Sequence, residues 1–280
     1  MVEVCSLPCC RPAMRRARRR CCFAKWVKRA VGVSGTSMLR AHSPTRQAGR
    51  QPAYYEHARS YNRDTAVFQP FRRAVVEALP LRRGQVVLDV GCGTGLCFGL
   101  LRERVGPRGT IVGIEESPEM AAMAREHIAR EGWHNVTVLS SSAEDARLEV
   151  TADAALFCVV HDIMQSPSAL WNVMVELRPG AWVAAGGGKW AAPAMVAVNS
   201  MIRMLHAPYV RNFGGFHRPW RYLEHLVEDA RVREMAFGSG SVMTGHTPTA
   251  PAPLATAISA VVAASDKYQQ VVLPRHVRCK

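Results

Sequence analysis

The sequence lacks the features that would mark a membrane, exported or disordered protein. No window approaches the roughly 18–20 uninterrupted apolar residues of a membrane-spanning helix, and the mean hydropathy is −0.05. Aromatic residues make up only 7% of the chain, and 22 acidic residues face 36 Lys and Arg. Hydrophobic residues still form 48% of the 280 positions, which is enough for one globular domain or two small ones. Disorder throughout the chain is therefore excluded.

The net charge of +14 is concentrated at one end of the chain. Residues 1–50 hold twelve Lys and Arg against one acid, Glu3, and the remainder is nearly neutral. The arginine-rich run 14–22 lacks the apolar stretch of about 7–15 residues found in a secretory signal. We interpret residues 1–50 as an extension that is expected to be disordered. Three interpretations of this extension remain open. It could be upstream sequence before a true start at Met38, a transit peptide, or a basic arm that binds nucleic acid or anionic lipid.

Cysteine usage and the carboxyl-terminal composition bound the domain further. The nine cysteines include adjacent pairs in residues 1–50 but neither a disulfide framework nor C-x2-C spacing, so we predict a cytoplasmic location and no metal site. Residues 247–253 form a Pro/Ala/Thr linker, and the stretch 254–265 is too short to span a bilayer. The predicted division is an extension over 1–50, a domain over 51–246 and a linker with a tail over 247–280.

Short apolar runs alternate with segments of helical period through the predicted domain. This alternation predicts parallel strands joined by crossover helices, and the continuous apolarity of the runs indicates strands buried on both faces. The fold class is therefore α/β, a three-layer sandwich. The predicted strands are Gln85 to Val90, Thr110 to Glu115, Val136 to Leu139, Ala154 to Val160 and Ala181 to Ala185.

Local signals predict two helices and a hairpin around these strands. Ser117 is the expected N-cap of a helix that starts at Pro118, and a second helix is expected from Ser168 to Leu177, before a Pro-Gly stop. Gly238-Ser-Gly240 separates two extended segments near the end of the domain, which favours an antiparallel pair.

A glycine-rich turn follows the first predicted strand. In the run 87–95, VLDVGCGTG, Gly91, Gly93 and Gly95 allow backbone N–H groups to approach a ligand closely. The G-x-G-x-G spacing does not meet the dinucleotide fingerprint G-x-G-x-x-G. Asp89, just before the turn, would repel a pyrophosphate but suits a cationic amine. The turn therefore favours a ligand without phosphates.

An acid at the end of the second strand completes this pattern. The two carboxylate oxygens of Glu115 can accept hydrogen bonds from both hydroxyls of a ribose. Together, the glycine turn and Glu115 predict an adenosine-bearing cofactor. The alternative is a structural turn with a solvated Glu.

The runs 87–95, 113–120, 152–156 and 177–180 resemble, in order and spacing, the class I S-adenosylmethionine-dependent methyltransferases. The resemblance covers about residues 51–246 and implies a Rossmann-like, seven-stranded, mostly parallel sheet with an antiparallel last strand, and S-adenosyl-L-methionine as cofactor. It also implies the residues that bind this cofactor, which are Tyr61, Asp89, Gly91, Cys92, Gly93, Thr94, Gly95, Glu115, Glu116, Met120, Ala143, Glu144 and Cys158.

Two parts of the resemblance leave alternatives open. The segment 54–61 looks like the aromatic lid of small-molecule members, with Tyr61 as the expected cofactor contact, but its tyrosines could equally pack a helix onto the sheet. After the third strand this sequence has Ser142 where the family often has an acid for the adenine edge. The Ala143 backbone and Glu144 are the remaining candidates for that contact.

The methyl acceptor is expected outside the carboxyl ends of the fourth and fifth strands. His161 is the candidate base with Asp162 beside it, although it could instead be a wall or loop residue. Between Lys189 and Leu223, a predicted helix from Met195 to Leu205 and a cluster of aromatic and basic residues suggest a substrate lid, or simply core. The predicted acceptor-binding residues are Lys189, Trp190, Tyr209, Arg211 and Trp220.

The leading hypothesis is a methyltransferase that acts by in-line displacement on a small acceptor, apolar or lipid-like. One alternative is an RNA- or DNA-modifying enzyme that uses the basic arm. However, residues 157–162, FCVVHD, lack the Asn/Asp-Pro-Pro-aromatic signature common in base-modifying members. We expect no nucleic-acid partner except through residues 1–50. A further alternative is a cofactor-binding protein without catalysis.

Overall fold

The computed structural model describes residues 61–249. The predictions made for residues 1–60, including most of the aromatic segment 54–61, and for residues 250–280 lie outside the described part of the chain. Within it, strands and helices alternate as the apolar runs predict.

In residues 61–249, seven strands form one sheet in the order β3-β2-β1-β4-β5-β7-β6. Strands β1 to β5 are parallel to one another, and β7 is antiparallel to both β5 and β6. The predicted mostly parallel, Rossmann-like sheet is confirmed. The strands are β1 (Val86–Val90), β2 (Thr110–Glu115), β3 (Val136–Ser140), β4 (Ala152–Cys158), β5 (Leu177–Gly188), β6 (Glu228–Met235) and β7 (Gly240–His246).

The central strands of the sheet are buried on both faces, which gives three layers. Along β1, Leu88 and Val90 enter one apolar cluster, and Val87 enters another on the opposite face. Successive strand residues point to opposite faces, so a continuous apolar run requires cover on both. The helices that provide it are α1 (Gln69–Ala78), α2 (Phe98–Val105), α3 (Pro118–Arg130), α4 (His161–Met164) and α5 (Pro167–Met174). A further helix, α6 (Val196–His206), contributes Ile202 to a separate apolar cluster.

The capping signals in the sequence locate two of these helices. The Ser117 hydroxyl accepts a hydrogen bond of 3.2 Å from Met120 N, so the predicted start of α3 at Pro118 is confirmed. Ser166 caps α5 in the same way through Ala169 N. The helix expected from Ser168 to Leu177 therefore begins one residue earlier and ends at Met174.

Strands β4 and β5 differ from the predicted bounds at their ends. Strand β4 ends at Cys158 rather than Val160, because Val159 adopts φ +59° and turns the chain into α4. Strand β5 begins at Leu177, and the expected Pro-Gly stop lies inside it as an irregularity where Gly180 has φ +71°. Pairing with β4 resumes at Trp182, so the turn signal produces a bulge instead of a break.

The carboxyl-terminal hairpin is present, with β6 and β7 joined through the Ala236–Gly238 turn. The predicted helix Met195 to Leu205 corresponds to α6. Within residues 61–249 no helix has the length and apolarity needed to cross a bilayer.

Candidate active site

The glycine turn joins β1 to α2 at the carboxyl edge of the sheet. Gly91, Gly93 and Gly95 all have positive φ, and the N–H groups of Gly91 and Cys92 donate to Ile114 O at 2.8 and 3.0 Å. A Cβ on Gly95 would lie 2.5 Å from the Phe98 ring, so this end of the turn is tightly packed. A Cβ on Gly93 would meet nothing closer than the Tyr61 ring, at 3.8 Å. The middle of the turn thus faces open space beneath Tyr61.

Glu115 is joined directly to this turn. Its two carboxylate oxygens accept hydrogen bonds from Gly93 N at 2.8 Å and from Ser117 N at 2.9 Å. Burial raises the pKa of this carboxyl group, although the hydrogen bonds from Ser117 and Gly93 oppose the rise. Each carboxylate oxygen has a second lone pair, so Glu115 can hold the turn and still accept a hydrogen bond from a ligand.

A cavity opens beside the turn. One acidic and one basic side chain line it, and both are buried: Asp89 is 2% exposed and Arg72 is 4% exposed. Asp89 Oδ2 has no hydrogen-bond partner within residues 61–249. Burial, and then the nearby Glu115 charge, raise the pKa of Asp89 to about 7, against the effect of Arg72. The cavity is lined by Tyr61, Arg72, Asp89, Gly91, Cys92, Leu96, Cys97, Cys158 and Val159.

The sequence prediction missed four residues of this cavity, Arg72, Leu96, Cys97 and Val159, and Arg72 is the charged one among them. It lies on α1, and its guanidinium group donates hydrogen bonds of 2.9 Å to Thr65 O and to Thr65 Oγ1. It shares the buried face of α1 with Val75 and Val76. A cation at the i, i+3, i+4 spacing of an apolar face is the signal that could have identified it.

A larger cavity adjoins the first. Tyr61 and Val159 line both cavities, and Tyr61 meets Tyr209 edge to face with their centroids 5.6 Å apart. Val159 is a β-branched residue with positive φ, a strained conformation of the kind that clusters at functional sites. The other lining residues are mostly apolar or aromatic and include Phe68, Val160, Met164, Val210, Phe216 and Trp220.

His161 lines the larger cavity at the start of α4. Its Nε2 lies 3.1 Å from Gly214 O, and its buried Nδ1 has no hydrogen-bond partner in the described part of the chain. Burial lowers the pKa of His161 to about 4, although the carbonyls of Gly214 and Asn212 act in the opposite direction. The Asp162 carboxylate points elsewhere and accepts a hydrogen bond of 3.3 Å from Arg211 N. The two adjacent residues therefore do not form a dyad.

Of the other residues predicted to bind the methyl acceptor, two line the larger cavity and three lie outside it. Tyr209 and Trp220 line the larger cavity. The Lys189 ammonium group lies against Glu234 Oε1 and Gly238 O, each at 2.9 Å, and Arg211 Nε lies 3.8 Å from Asp162 Oδ2. Trp190 stacks on Phe213, with centroids 5.2 Å apart, and packs behind the cavity wall.

Only some of the predicted cofactor-binding residues line the smaller cavity. Cys92 and Cys158 line the smaller cavity, and the Thr94 hydroxyl donates to Asn62 Oδ1 at 2.5 Å. Met120 and Ala143 are buried at 1% and 4% exposure. Glu116 and Glu144 are exposed, and the latter accepts a hydrogen bond from Ser166. Among residues 61–249 no group of three His, Cys, Asp or Glu side chains is arranged to hold a metal ion.

Comparison with known proteins shows what this part of the chain is similar to. A family model described as "Methyltransferase domain" matches residues 81–186, which span the glycine turn, Glu115 and β4. Residues 81–186 therefore carry a methyltransferase domain, as the resemblance to the class I S-adenosylmethionine-dependent methyltransferases predicts. An O-methyltransferase family protein from Burkholderia thailandensis has the same fold, with a TM-score of 0.52, 18% identity, and coverage of 69% of this chain and 60% of that one.

Curated relatives of this methyltransferase domain act on different acceptors. It is 49% identical over 65 residues to protein-L-isoaspartate O-methyltransferase of Ignicoccus hospitalis, covering 23% of this chain and 31% of that protein. It is 32% identical over 93 residues to aklanonic acid methyltransferase of a Streptomyces species, covering 33% and 42%. The chain thus spans less than half the length of either relative.

S-adenosyl-L-methionine, the cofactor of this family, fits the residues of the methyltransferase domain. Its amino acid end carries an ammonium and a carboxylate, which match the charges of Asp89 and Arg72 in one cavity. The orphaned Asp89 Oδ2 gains a donor in this arrangement. When bound, the cofactor supplies a methyl group on a positively charged sulfur.

Proposed function

We propose that this chain transfers the methyl group of S-adenosylmethionine to a small, mainly apolar acceptor bound in the larger cavity. The observation that carries the proposal is that Tyr61 and Val159 line both cavities. A donor bound in the smaller cavity and an acceptor bound in the larger one would meet between these two side chains.

In this proposal the smaller cavity binds the amino acid end of the cofactor. The Asp89 carboxylate faces the α-ammonium group, and the Arg72 guanidinium group faces the α-carboxylate. Both side chains are at least 95% buried, so these charge-assisted hydrogen bonds form away from bulk water. Glu115 accepts hydrogen bonds from the ribose hydroxyls while it keeps its bond to Gly93 N.

The larger cavity favours an apolar acceptor because most of its lining is aromatic or aliphatic. Methyl transfer needs the nucleophile, the methyl carbon and the sulfur held in line and away from water. Tyr61 lies over the glycine turn and against Tyr209, and would separate this reaction space from solvent. The acceptor named for the Streptomyces relative is also a small molecule.

The test is cofactor binding and methyl transfer by the purified full-length chain. Calorimetry with S-adenosylhomocysteine measures binding, and methyl-labelled cofactor with fractions of host extract, followed by mass analysis, identifies the product. We expect micromolar binding, its loss in Asp89→Asn, and label in a small-molecule fraction. Asp145→Asn, at an exposed carboxylate on the loop after β3, is the matched control. Unchanged affinity in Asp89→Asn, or label found only in protein or RNA, would overturn the proposal.

A further inference from the structure

Two histidines line the larger cavity, although the sequence prediction included only one of them. His161 begins α4, and His206 is the last residue of α6, where it is 6% exposed. The Phe216 ring meets both imidazoles, with centroid distances of 4.9 Å to His161 and 5.3 Å to His206. The two histidines therefore belong to one wall.

Backbone carbonyls fix the tautomer of each ring. His161 Nε2 lies 3.1 Å from Gly214 O, and His206 Nδ1 lies 2.9 Å from Ile202 O. A carbonyl oxygen only accepts hydrogen bonds, so the nitrogen beside it carries the proton in each neutral ring. The remaining nitrogens, His161 Nδ1 and His206 Nε2, are then lone-pair acceptors.

Neither acceptor nitrogen has a hydrogen-bond partner among residues 61–249, and both are buried. A buried acceptor without a hydrogen bond is energetically unfavourable. Burial also lowers the pKa of both histidines, so both rings are neutral at physiological pH. Two buried acceptors in one apolar cavity call for a ligand that brings two donors.

The sheet order distinguishes the roles of the two histidines. His161 follows β4, which pairs directly with β1 and its glycine turn, whereas His206 lies against β5, one strand further away. A Cβ on Gly91 would lie 2.6 Å from Val160 Cγ1, so the start of α4 packs on the turn itself. A Cβ on Gly188, at the end of β5, would overlap His206 Nε2. His161 is thus the histidine next to the donor site.

We propose that the acceptor is an aromatic compound with two hydroxyl groups, one methylated beside His161 and the other bound by His206. This inference rests on the proposed function and specifies its substrate class. Phe68, Phe216 and Trp220 provide the apolar wall for the ring. The hydroxyl at His161 donates its proton to Nδ1 while its oxygen attacks the methyl carbon. The new O–C bond forms as the C–S bond breaks, which leaves a methyl ether, neutral S-adenosylhomocysteine and a proton on the imidazole.

The experiment compares hydroxylated ring compounds bound to the full-length chain saturated with S-adenosylhomocysteine. The probes are naphthalene, 2-naphthol and a set of dihydroxynaphthalene isomers, whose fluorescence reports binding. We expect at least one diol to bind about tenfold more tightly than 2-naphthol, because its second hydroxyl satisfies His206 Nε2. In His206→Phe this advantage disappears and 2-naphthol binds as before. His206→Gln, whose amide oxygen can accept, recovers part of it.

The control is His134→Phe, because His134 is exposed in the turn before β3. Thermal melting and S-adenosylhomocysteine affinity show whether each variant folds. If His206→Phe does not fold, the His206→Gln variant carries the test. If the cofactor product binds and no diol is preferred over 2-naphthol, or if His206→Phe keeps the preference, the inference is wrong while the proposed function stands. Absence of cofactor binding would instead contradict the proposed function.

Discussion

Glu115 Oε2 accepts a hydrogen bond of 2.8 Å from the backbone N–H of Gly93. This bond joins the end of β2 to the middle of the turn that follows β1. The carboxylate therefore holds the turn in place, and the turn holds the carboxylate in place. The second oxygen holds Ser117 N at the start of α3. One side chain thereby fixes the relative placement of two loops beside the proposed cofactor site.

Replacing Glu115 should weaken every ligand that contains the ribose. Gln has one acceptor oxygen, so Glu115→Gln cannot hold both N–H groups and two ribose hydroxyls as the carboxylate does. We expect the dissociation constants of S-adenosylhomocysteine and of 5′-methylthioadenosine to rise together by about 10- to 100-fold. Titration calorimetry checks this, with Glu126→Gln on the exposed face of α3 as control. A loss confined to one of the two ligands would contradict the assignment.

Replacing Arg72 should weaken the binding of S-adenosylhomocysteine but not the binding of 5′-methylthioadenosine. 5′-Methylthioadenosine lacks the amino acid end of the cofactor, so it makes no use of the Arg72 guanidinium group in our proposal. In Arg72→Met the dissociation constant of S-adenosylhomocysteine is expected to rise by at least about tenfold. That of 5′-methylthioadenosine should stay within about twofold of the wild-type value. Arg73→Met, at the exposed neighbouring position, is the matched control. Equal losses for both ligands would show that Arg72 only supports the fold.

The charge of Asp89 should make cofactor binding depend on pH. Its pKa is raised to about 7 by burial and then by Glu115, whereas Arg72 lowers it. The ammonium group binds the ionised carboxylate, so affinity for S-adenosylhomocysteine should fall as the pH is lowered from 8 to 6. Calorimetry across this range measures the change, and Asp89→Asn should remove it. A pH-independent affinity in the wild-type chain would argue against Asp89 as the ammonium partner.

The same shift predicts a stabilising substitution. The folded pKa of Asp89 lies above its unfolded value of 3.8, so the folded state binds more protons than the unfolded one between these values. Stability without cofactor is therefore lost as pH rises from about 4 to 7. Asp89→Asn should raise the free energy of unfolding at pH 8 by on the order of 3 kcal/mol, measured by urea denaturation. Lower stability than wild type at pH 8 would contradict this expectation.

Gly93 should tolerate a methyl group structurally but not functionally. Its φ is +56°, where Ala costs roughly 1–2 kcal/mol, and the nearest atom to an added Cβ is 3.8 Å away. The control is Gly84→Ala, with φ +88° and nothing within 4 Å of the added Cβ. Both variants should lose similar stability in thermal melts. Only Gly93→Ala should lose cofactor affinity, because its Cβ enters the open face of the turn.

Acid should destabilise the folded chain through His161. Its folded pKa, lowered to about 4, lies below the unfolded value of 6.5, chiefly because of burial and also because of the nearby charge of Arg221. The unfolded state takes up the proton first, so this contribution to stability is present above pH 6.5 and is lost as pH falls towards 4. His161→Phe should show a smaller loss of unfolding free energy between pH 7 and pH 5. An equal loss in both proteins would refute the shift.

Much of the fold followed from local sequence. The apolar runs located β1 to β5 because strands buried on both faces need continuous apolar residues, and Ser117 with Pro118 located the start of α3. The bounds were wrong where tertiary pairing prevailed. The Pro-Gly signal at 179–180 was expected to precede β5, but pairing of Leu177 with Ala152 drew it into the strand.

The sequence by itself determined the α/β class, the glycine turn with Asp89, and the acid at the end of β2, since these depend on residues close together in the chain. Only the tertiary structure brought Arg72 from α1 beside Asp89, and His206 from α6 onto the same Phe216 ring as His161. Their partners are distant in the chain and meet only when the sheet assembles. The tautomer of His161, and therefore which of its ring nitrogens is left without a partner, likewise depends on the Gly214 carbonyl. No local sequence pattern specifies this contact.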